Sequence, residues 1–157
     1  MISTEQDAIT VRVLDLSREI DREALYDLRW RVLREPLGLA RGTEQIAADF
    51  EVDTLHIGAF DAQSRLVGCA TLVPANSGIQ LRAMAVDPTR QRSGIGAAVL
   101  SAAATAARTA EQPLWCEARA HAVGFYERNG WAVESGLFEV PRIGPHYRMR
   151  VRPSEPL

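Results

Sequence analysis

Cysteine is scarce in this chain: Cys69 and Cys116 are the only two, each in an apolar run, with no histidine or second cysteine at metal-ligand spacing. That favours buried reduced thiols over a disulfide or a zinc site, in a reducing compartment, the cytoplasm by default. No apolar stretch approaches the roughly 20 residues of a membrane span, and Met1-Ile2-Ser3-Thr4-Glu5-Gln6-Asp7 lacks the basic start and apolar run of a signal peptide. A soluble, intracellular protein is expected. An excess of one charge is missing too: 18 basic residues face 20 acidic ones, for a net charge of −2. There is no global field to draw nucleic acid or an anionic membrane, and neither is expected as a partner. Repeats, low-complexity tracts and linkers are absent. A length of 157 residues suits one domain, 1–157 with residues 1–8 as a polar tail, burying about two thirds of its unfolded surface without staples.

What the chain does have is one dominant stretch, residues 79–110. It reads as an apolar strand (79–86), an Asp87-Pro88 turn, the loop Thr89-Arg90-Gln91-Arg92-Ser93-Gly94-Ile95-Gly96, and a long alanine-rich helix. A glycine-bearing loop that opens a helix aims unpaired backbone N–H groups and the positive end of the helix dipole at whatever anion lies in front. The stretch is a phosphate cradle by its physics.

Before it, alternating β-branched residues over 10–15 predict a first strand, and Ser17 or Asp21 can cap a helix. That helix carries two apolar stripes, Ile20, Ala24, Leu25, Leu28 and Val32 on one side, and Tyr26, Trp30 and Leu33 nearly opposite. Pro36 and Gly38 end it, and a short helix is expected around 43–50. Residues 54–60 and 65–73 read as a hairpin about Asp61-Ala62-Gln63-Ser64. After the long helix, residues 114–118 form a strand that the crossover makes a parallel neighbour of 79–86. A helix over 120–128 stops at Asn129-Gly130, and strands at 131–135 and 143–152 close the chain, separated by a turn-rich segment.

The glycine pattern alone leaves the ligand open. Gly94-Ile95-Gly96-Ala97-Ala98-Val99 lacks the third glycine of a dinucleotide fingerprint, and no Gly-Lys-Ser/Thr follows as in a triphosphate loop. Two motifs narrow it. Gln91-Arg92-Ser93-Gly94-Ile95-Gly96 resembles the Gln/Arg-x-x-Gly-x-Gly/Ala loop of the GNAT superfamily of N-acetyltransferases, and Ala122-Val123-Gly124-Phe125-Tyr126-Glu127-Arg128-Asn129-Gly130-Trp131 resembles that family's A-x-x-FY-x-x-x-GF, with Trp131 for the usual Phe. The resemblance covers about the whole chain. A finer likeness, to a branch of small bacterial members near the ElaA-like group, comes from Leu28-Arg29-Trp30-Arg31-Val32-Leu33-Arg34-Glu35-Pro36 and from His146; this chain reads Ile143-Gly144-Pro145-His146 where that group has Gly-Ile-Pro-His.

The resemblance implies an α+β, three-layer GNAT fold: a mixed central sheet of six or seven strands with helices on both faces. It also implies acetyl transfer from acetyl-CoA, bound as co-substrate and without a metal, to a primary amine of a small molecule or peptide by direct attack in a ternary complex. Met84, Ala85 and Val86 would line the pantetheine arm, with a bulge in their strand turning an N–H towards the thioester. The backbone of Arg92, Ser93, Gly94, Ile95, Gly96 and Ala97, with Gln91 and the Arg90 and Arg92 side chains, would hold the pyrophosphate. Tyr126 suits the proton donor, since a phenol with a pKa of about 10 stays protonated at neutral pH while a thiol near 8.5 leaves as a thiolate.

The base stays open. Gln80, Arg82 and Met84 offer no carboxylate on the central strand, which leaves His146, Glu117 or a water chain, with His56 and His121 behind them. By resemblance, Arg29, Arg31 and Arg34 lie near the acceptor groove, where they would suit a carboxylate-bearing acceptor. The lack of an obvious base keeps a second function open, a non-catalytic acetyl-CoA-binding regulatory module of the same fold. Nothing in the sequence sets the oligomeric state, and a homodimer is compatible with it.

Overall fold

The structure, a computed structural model, describes residues 8–75, 77–91 and 93–152. Most of the expected polar tail and Arg92 lie outside the described residues. Strand β1 (Thr10–Leu14) leads into α1 (Glu19–Arg29), which continues through a π-helical turn (Trp30–Arg34) and a 3₁₀ turn (Glu35–Leu37). A 3₁₀ turn at Ala47–Phe50 precedes β2 (Leu55–Phe60), β3 (Leu66–Ala75) and β4 (Gly78–Val86). Then come α2 (Ile95–Thr109), β5 (Leu114–Arg119), α3 (Val123–Arg128), β6 (Trp131–Val133), β7 (Phe138–Val140) and β8 (Gly144–Val151).

All eight strands join one sheet in the order β1-β2-β3-β4-β5-β8-β6, with β7 also on β8. The GNAT resemblance implies six or seven strands, fewer than the eight that the sheet contains. The eighth is Phe138–Val140, inside the turn-rich segment, which pairs with Gly144 to His146 of β8. Every pairing is antiparallel except β4 with β5, the parallel pair that the α2 crossover predicts.

The sheet buries both faces. On one side Ile95, Val99, Leu100, Ala103 and Ala107 of α2 pack on Ile57, Val67, Leu81 and Cys116, in a cluster that extends to Tyr126, Trp131 and Met149. The alanines keep the helix close to the strands. On the other side Leu25 and Leu28 of α1 pack with Leu14, Leu16, Leu66, Cys69 and Ala85. Truncating one such buried Leu or Ile to Ala costs about 2–5 kcal/mol. Both cysteines are buried and unbridged.

Helix α1 departs from its sequence reading in two places. Ile20, expected in the apolar stripe, is 71% exposed, because the stripe that meets the sheet begins only at Ala24 and Leu25. Arg18 sits at the N-cap without a side-chain cap, and Asp21 instead takes two hydrogen bonds from Arg12 (2.8 and 2.9 Å) and one from the Asp15 N–H (2.9 Å).

Arg29 is the larger correction. It lies fully buried, not in the acceptor groove, and its guanidinium donates bidentately to Asp49 (2.9 and 3.0 Å), to Thr71 Oγ1 (2.7 Å) and to the Glu44 carbonyl (3.1 Å). His56 joins Thr71 through Nδ1 (2.8 Å) and the Asp49 carbonyl through Nε2 (2.9 Å), while the Tyr26 hydroxyl donates to Asp49 (3.0 Å). Burial alone raises the Asp49 carboxyl, but the hydrogen bonds from Arg29 and the Ile46 N–H outweigh it and leave its pKa below the ordinary value. Such a buried pair specifies geometry more than it adds stability. Here it ties α1, the 3₁₀ turn at Ala47–Phe50, β2 and β3 together, and so fixes where the end of α1 stands over the sheet.

Candidate active site

Strands β4 and β5 run side by side for only three residue pairs, Ile79 with Leu114 through Leu81 with Cys116. Beyond these they part, although β4 continues to Val86 and β5 to Arg119. From Arg82 onwards the edge of β4 that faces β5 has no strand beside it. A cavity of about 820 Å³ fills the opening, bounded by β4, β5, α3, the start of α2 and the π-helical turn after α1.

A bulge sits at the point of parting. Cys69 of β3 faces Ala85 and Thr71 faces Arg82, so Ala83 and Met84 together oppose the single residue Ala70. Ala83 adopts φ of 51°, an uncommon conformation for a residue with a Cβ. Its carbonyl meets the buried Cys69 thiol at 3.6 Å. Such an extra residue re-aims the backbone, which is what a β-bulge beside an active site commonly does.

At the far end of β4 the loop delivers α2. Gly94 takes φ of 83° at the N-cap, with open space where a Cβ would be, and the first α-helical bond runs from the Ala98 N–H to the Gly94 carbonyl. The N–H groups of Ile95, Gly96 and Ala97 are therefore left without helical partners. No acidic residue occupies the first turn, where one would ordinarily complement the dipole. Gly96 has a different reason to be glycine: a Cβ there would stand 2.7 Å from the Phe125 ring. Packing α3 against the start of α2 thus links the two motifs. Gln91, Gly94, Ile95, Gly96 and Ala97 line the cavity together with Met84, Ala85 and Val86. Ser93 does not; its hydroxyl turns back to the Arg90 carbonyl. Arg90, expected to add charge for an anion, donates to Asp61 at 2.8 Å.

The candidate proton-transfer groups meet in the same cavity. Tyr126 is 6% exposed, with Phe125 and Trp131 edge-on at 5.3 and 5.1 Å. Burial, and then the neighbouring Cys116 thiol, hold its pKa well above the phenol value, so it stays protonated. Burial pushes the Cys116 thiol itself up to about 12. His146 is 5% exposed, lines the cavity, and stacks on Phe138. Its Nδ1 lies 2.8 Å from the Gly144 carbonyl. A carbonyl can only accept, so Nδ1 carries the hydrogen and the neutral ring keeps its Nε2 lone pair free. Glu117 is exposed and also lines the cavity. His121 lines it from the surface, whereas His56 is held in the Arg29 network, away from the opening.

Sequence reasoning passed over three features: Arg119 of β5, Arg82 as a cavity residue, and the Cys116 thiol beside Tyr126. The alternation of β5 could have shown the first, since Glu117 and Arg119 share the face opposite Cys116 and Ala118.

A family model for the acetyltransferase (GNAT) domain matches residues 53–133, a span that contains β4, the loop, α2 and α3. The chain belongs to the GNAT acetyltransferases. Similar proteins agree with that membership. The uncharacterised N-acetyltransferase YitI of Bacillus subtilis (strain 168) is 27% identical over 142 residues, which span 84% of this chain and 92% of YitI. An acyl-CoA N-acyltransferase from Pseudomonas aeruginosa superposes with a TM-score of 0.77 at 20% identity, over 92% of this chain and 100% of that one. Escherichia coli ElaA gives 0.72 at 19% identity, again over 92% and 100%. An aminoglycoside 6'-N-acetyltransferase complexed with coenzyme A gives 0.75 at 16% identity, over 94% and 99%. This GNAT protein is thus an acyl-CoA-dependent N-acyltransferase, built on a mixed sheet with helices on both faces. No helix among its described residues is long and apolar enough to cross a membrane.

Proposed function

We propose that this GNAT protein, folded as one domain, transfers the acetyl group of acetyl-CoA to a primary amine by direct attack in a ternary complex. One observation carries the reading: the unpaired edge of β4 beyond the bulge, the free N–H groups at the start of α2, and the Tyr126 side chain all border one cavity.

Acetyl-CoA supplies an activated thioester. This chain's residues supply what surrounds it. The N–H groups of Ile95, Gly96 and Ala97 and the positive end of α2 receive the pyrophosphate. Backbone groups of Met84 to Val86 hold the pantetheine arm as an extra strand, and the bulge aims an N–H at the carbonyl oxygen as it gains charge. Tyr126 gives its proton to the departing sulfur. His146 Nε2 accepts the proton that the amine must lose, with Nδ1 anchored on the Gly144 carbonyl. Glu117 is the second candidate for that step. An amine with a lysine-like pKa is neutral in only about one molecule in a few thousand at pH 7, which is why a base matters.

The test pairs binding with turnover. Acetyl-CoA should raise the melting temperature while NAD and ATP do not, and a panel of amino acids, polyamines, aminoglycosides and peptides should release thiol from acetyl-CoA with at least one member. Equal thermal shifts from all three nucleotides, or acetyl-CoA binding with no acceptor turned over, would overturn the proposal.

A further inference from the structure

Five arginines among the described residues border the cavity; apart from Arg90, paired with Asp61, and Arg128 of α3, they are Arg34 in the π-helical turn after α1, Arg82 of β4 just before Ala83, and Arg119 at the end of β5. Arg82 precedes the bulge in β4, whereas the phosphate loop follows Val86 beyond it. None of the three forms an ion pair among the described residues, although nine ion pairs occur elsewhere. Arg34 Nη1 and Arg119 Nη2 both donate to the Leu33 carbonyl, at 3.3 and 2.9 Å. Two cations thus meet at one neutral oxygen.

That arrangement is only partly explained by capping. Basic side chains do satisfy carbonyls at a helix C-terminus. The two lone pairs of the Leu33 carbonyl take one donor from each side chain, and Arg34 also donates through Nε to the Thr43 carbonyl (3.1 Å), but other guanidinium N–H groups remain over. Most of the donors on half-buried Arg119 make no hydrogen bond within the described protein, and neither do those of Arg82, which stands exposed at the mouth of the cavity. Burial, then Arg29 and Arg82, lower the pKa of Arg34; burial, then Arg34, lower that of Arg119. Both remain charged, since arginine does not lose its proton in proteins. Two acids face the group. The Glu44 carboxylate is near Arg34 but accepts the Gly42 N–H at 2.6 Å, and Glu117 shares a strand face with Arg119 without pairing to it. Like charges gathered in a half-enclosed cavity with unused donors form a seat for an anion.

We propose that the acceptor is a small amine that also carries a carboxylate, held by Arg34, Arg82 and Arg119 so that its amino group is directed towards the bulge in β4. This rests on the acetyl-transfer reading. Guanidinium donors match a carboxylate bidentately, and the cavity must admit the pantetheine arm as well, which limits the acceptor to small size.

The test uses the full chain saturated with coenzyme A. N-acetyl derivatives of the twenty amino acids, of β-alanine and of 4-aminobutyrate are titrated calorimetrically beside their carboxamides, and the parent amines beside their amides are scored for thiol release. At least one acid should bind about 30-fold or more tighter than its carboxamide. Arg82→Gln and Arg119→Gln should each weaken it about 10- to 100-fold while acetyl-CoA affinity stays within about twofold. Amine turnover with no preference for the acids, or a preference that survives the double glutamine variant, overturns this inference and leaves acetyl transfer standing. Arginine-dependent binding of acids without any turnover supports the anion seat and sinks the transferase reading instead.

Discussion

Replacing Tyr126 with phenylalanine removes one oxygen atom from a side chain that is 6% exposed and wedged between Phe125 and Trp131. The ring keeps both edge-on contacts, so packing is preserved. What disappears is the proton, and the contact of the hydroxyl with the Cys116 thiol. A single polar contact of that kind contributes about 1 kcal/mol, so the melting temperature should move by roughly 2–4 °C at most. Turnover is another matter. General-acid assistance contributes about 10²- to 10⁴-fold, or about 3–5 kcal/mol of barrier, and kcat should fall by that factor. The affinity for acetyl-CoA, measured by calorimetry, should stay within about threefold. Because burial holds the phenol well above 10, the wild-type rate should also show no alkaline limb from Tyr126 at or below that pH. A variant whose kcat stays within threefold of wild type refutes the donor role. Equal losses in kcat and in acetyl-CoA affinity would show that the hydroxyl positions the donor and does not transfer the proton.

Gly94→Val should weaken acetyl-CoA binding at least about tenfold, at a stability cost set by backbone strain and not by a steric clash. No atom lies within 4 Å of the new Cβ, and the left-handed backbone, φ 83°, adds about 1–2 kcal/mol of strain. An unchanged dissociation constant would contradict the cradle. Arg29→Met leaves the Asp49 carboxylate buried without its main partner and should cost about 3–5 kcal/mol in urea unfolding, with a loss below 1 kcal/mol refuting the assigned network. His56 gives the same network a pH signature. Burial, then Arg29, lower its folded pKa, so the stability it contributes is complete above the unfolded value of about 6.5 and declines as pH falls below it, by up to about 1.4 kcal/mol per unit. Wild type should therefore lose more stability than His56→Gln between pH 7.5 and 5.5; equal losses would remove His56 as the source.

The loop and the Phe125-Tyr126 motif are legible in the sequence because each rests on backbone conformation and fixed local spacing, and both leave glycines as traces. The β2–β3 hairpin came from its turn and the parallel β4–β5 pair from the crossover at α2, whereas the placement of β8 between β5 and β6 left no local trace and the three residues of β7 form no pattern of their own. The arginines were not separable in the same way. Arg29 and Arg34 sit five residues apart on one helix, yet the first is sealed against Asp49 and the second opens onto the cavity. Their difference is set by Asp49 and Thr71, which are distant in the chain, and by the π-helical turn at Trp30–Arg34, which rotates the later side chains about the helix axis. Arg82 and Arg119 border one cavity because β4 and β5 diverge, a tertiary event with no sequence signature beyond the bulge.

The three residue pairs that join β4 to β5 have a consequence for how this molecule can change. On one side of them, β1 to β4 form one antiparallel array that carries the donor loop; on the other, β5 to β8 form a second that carries Glu117, Arg119 and His146. The protein is in effect two sheets riveted along a short seam, with the cavity where the rivets stop. Substitutions on the β5–β8 wall can alter what the cavity admits without disturbing the hydrogen-bond ladder that supports the bulge and the loop. Arg82 of β4 and the Gly96–Phe125 contact nevertheless tie the two arrays together around the cavity.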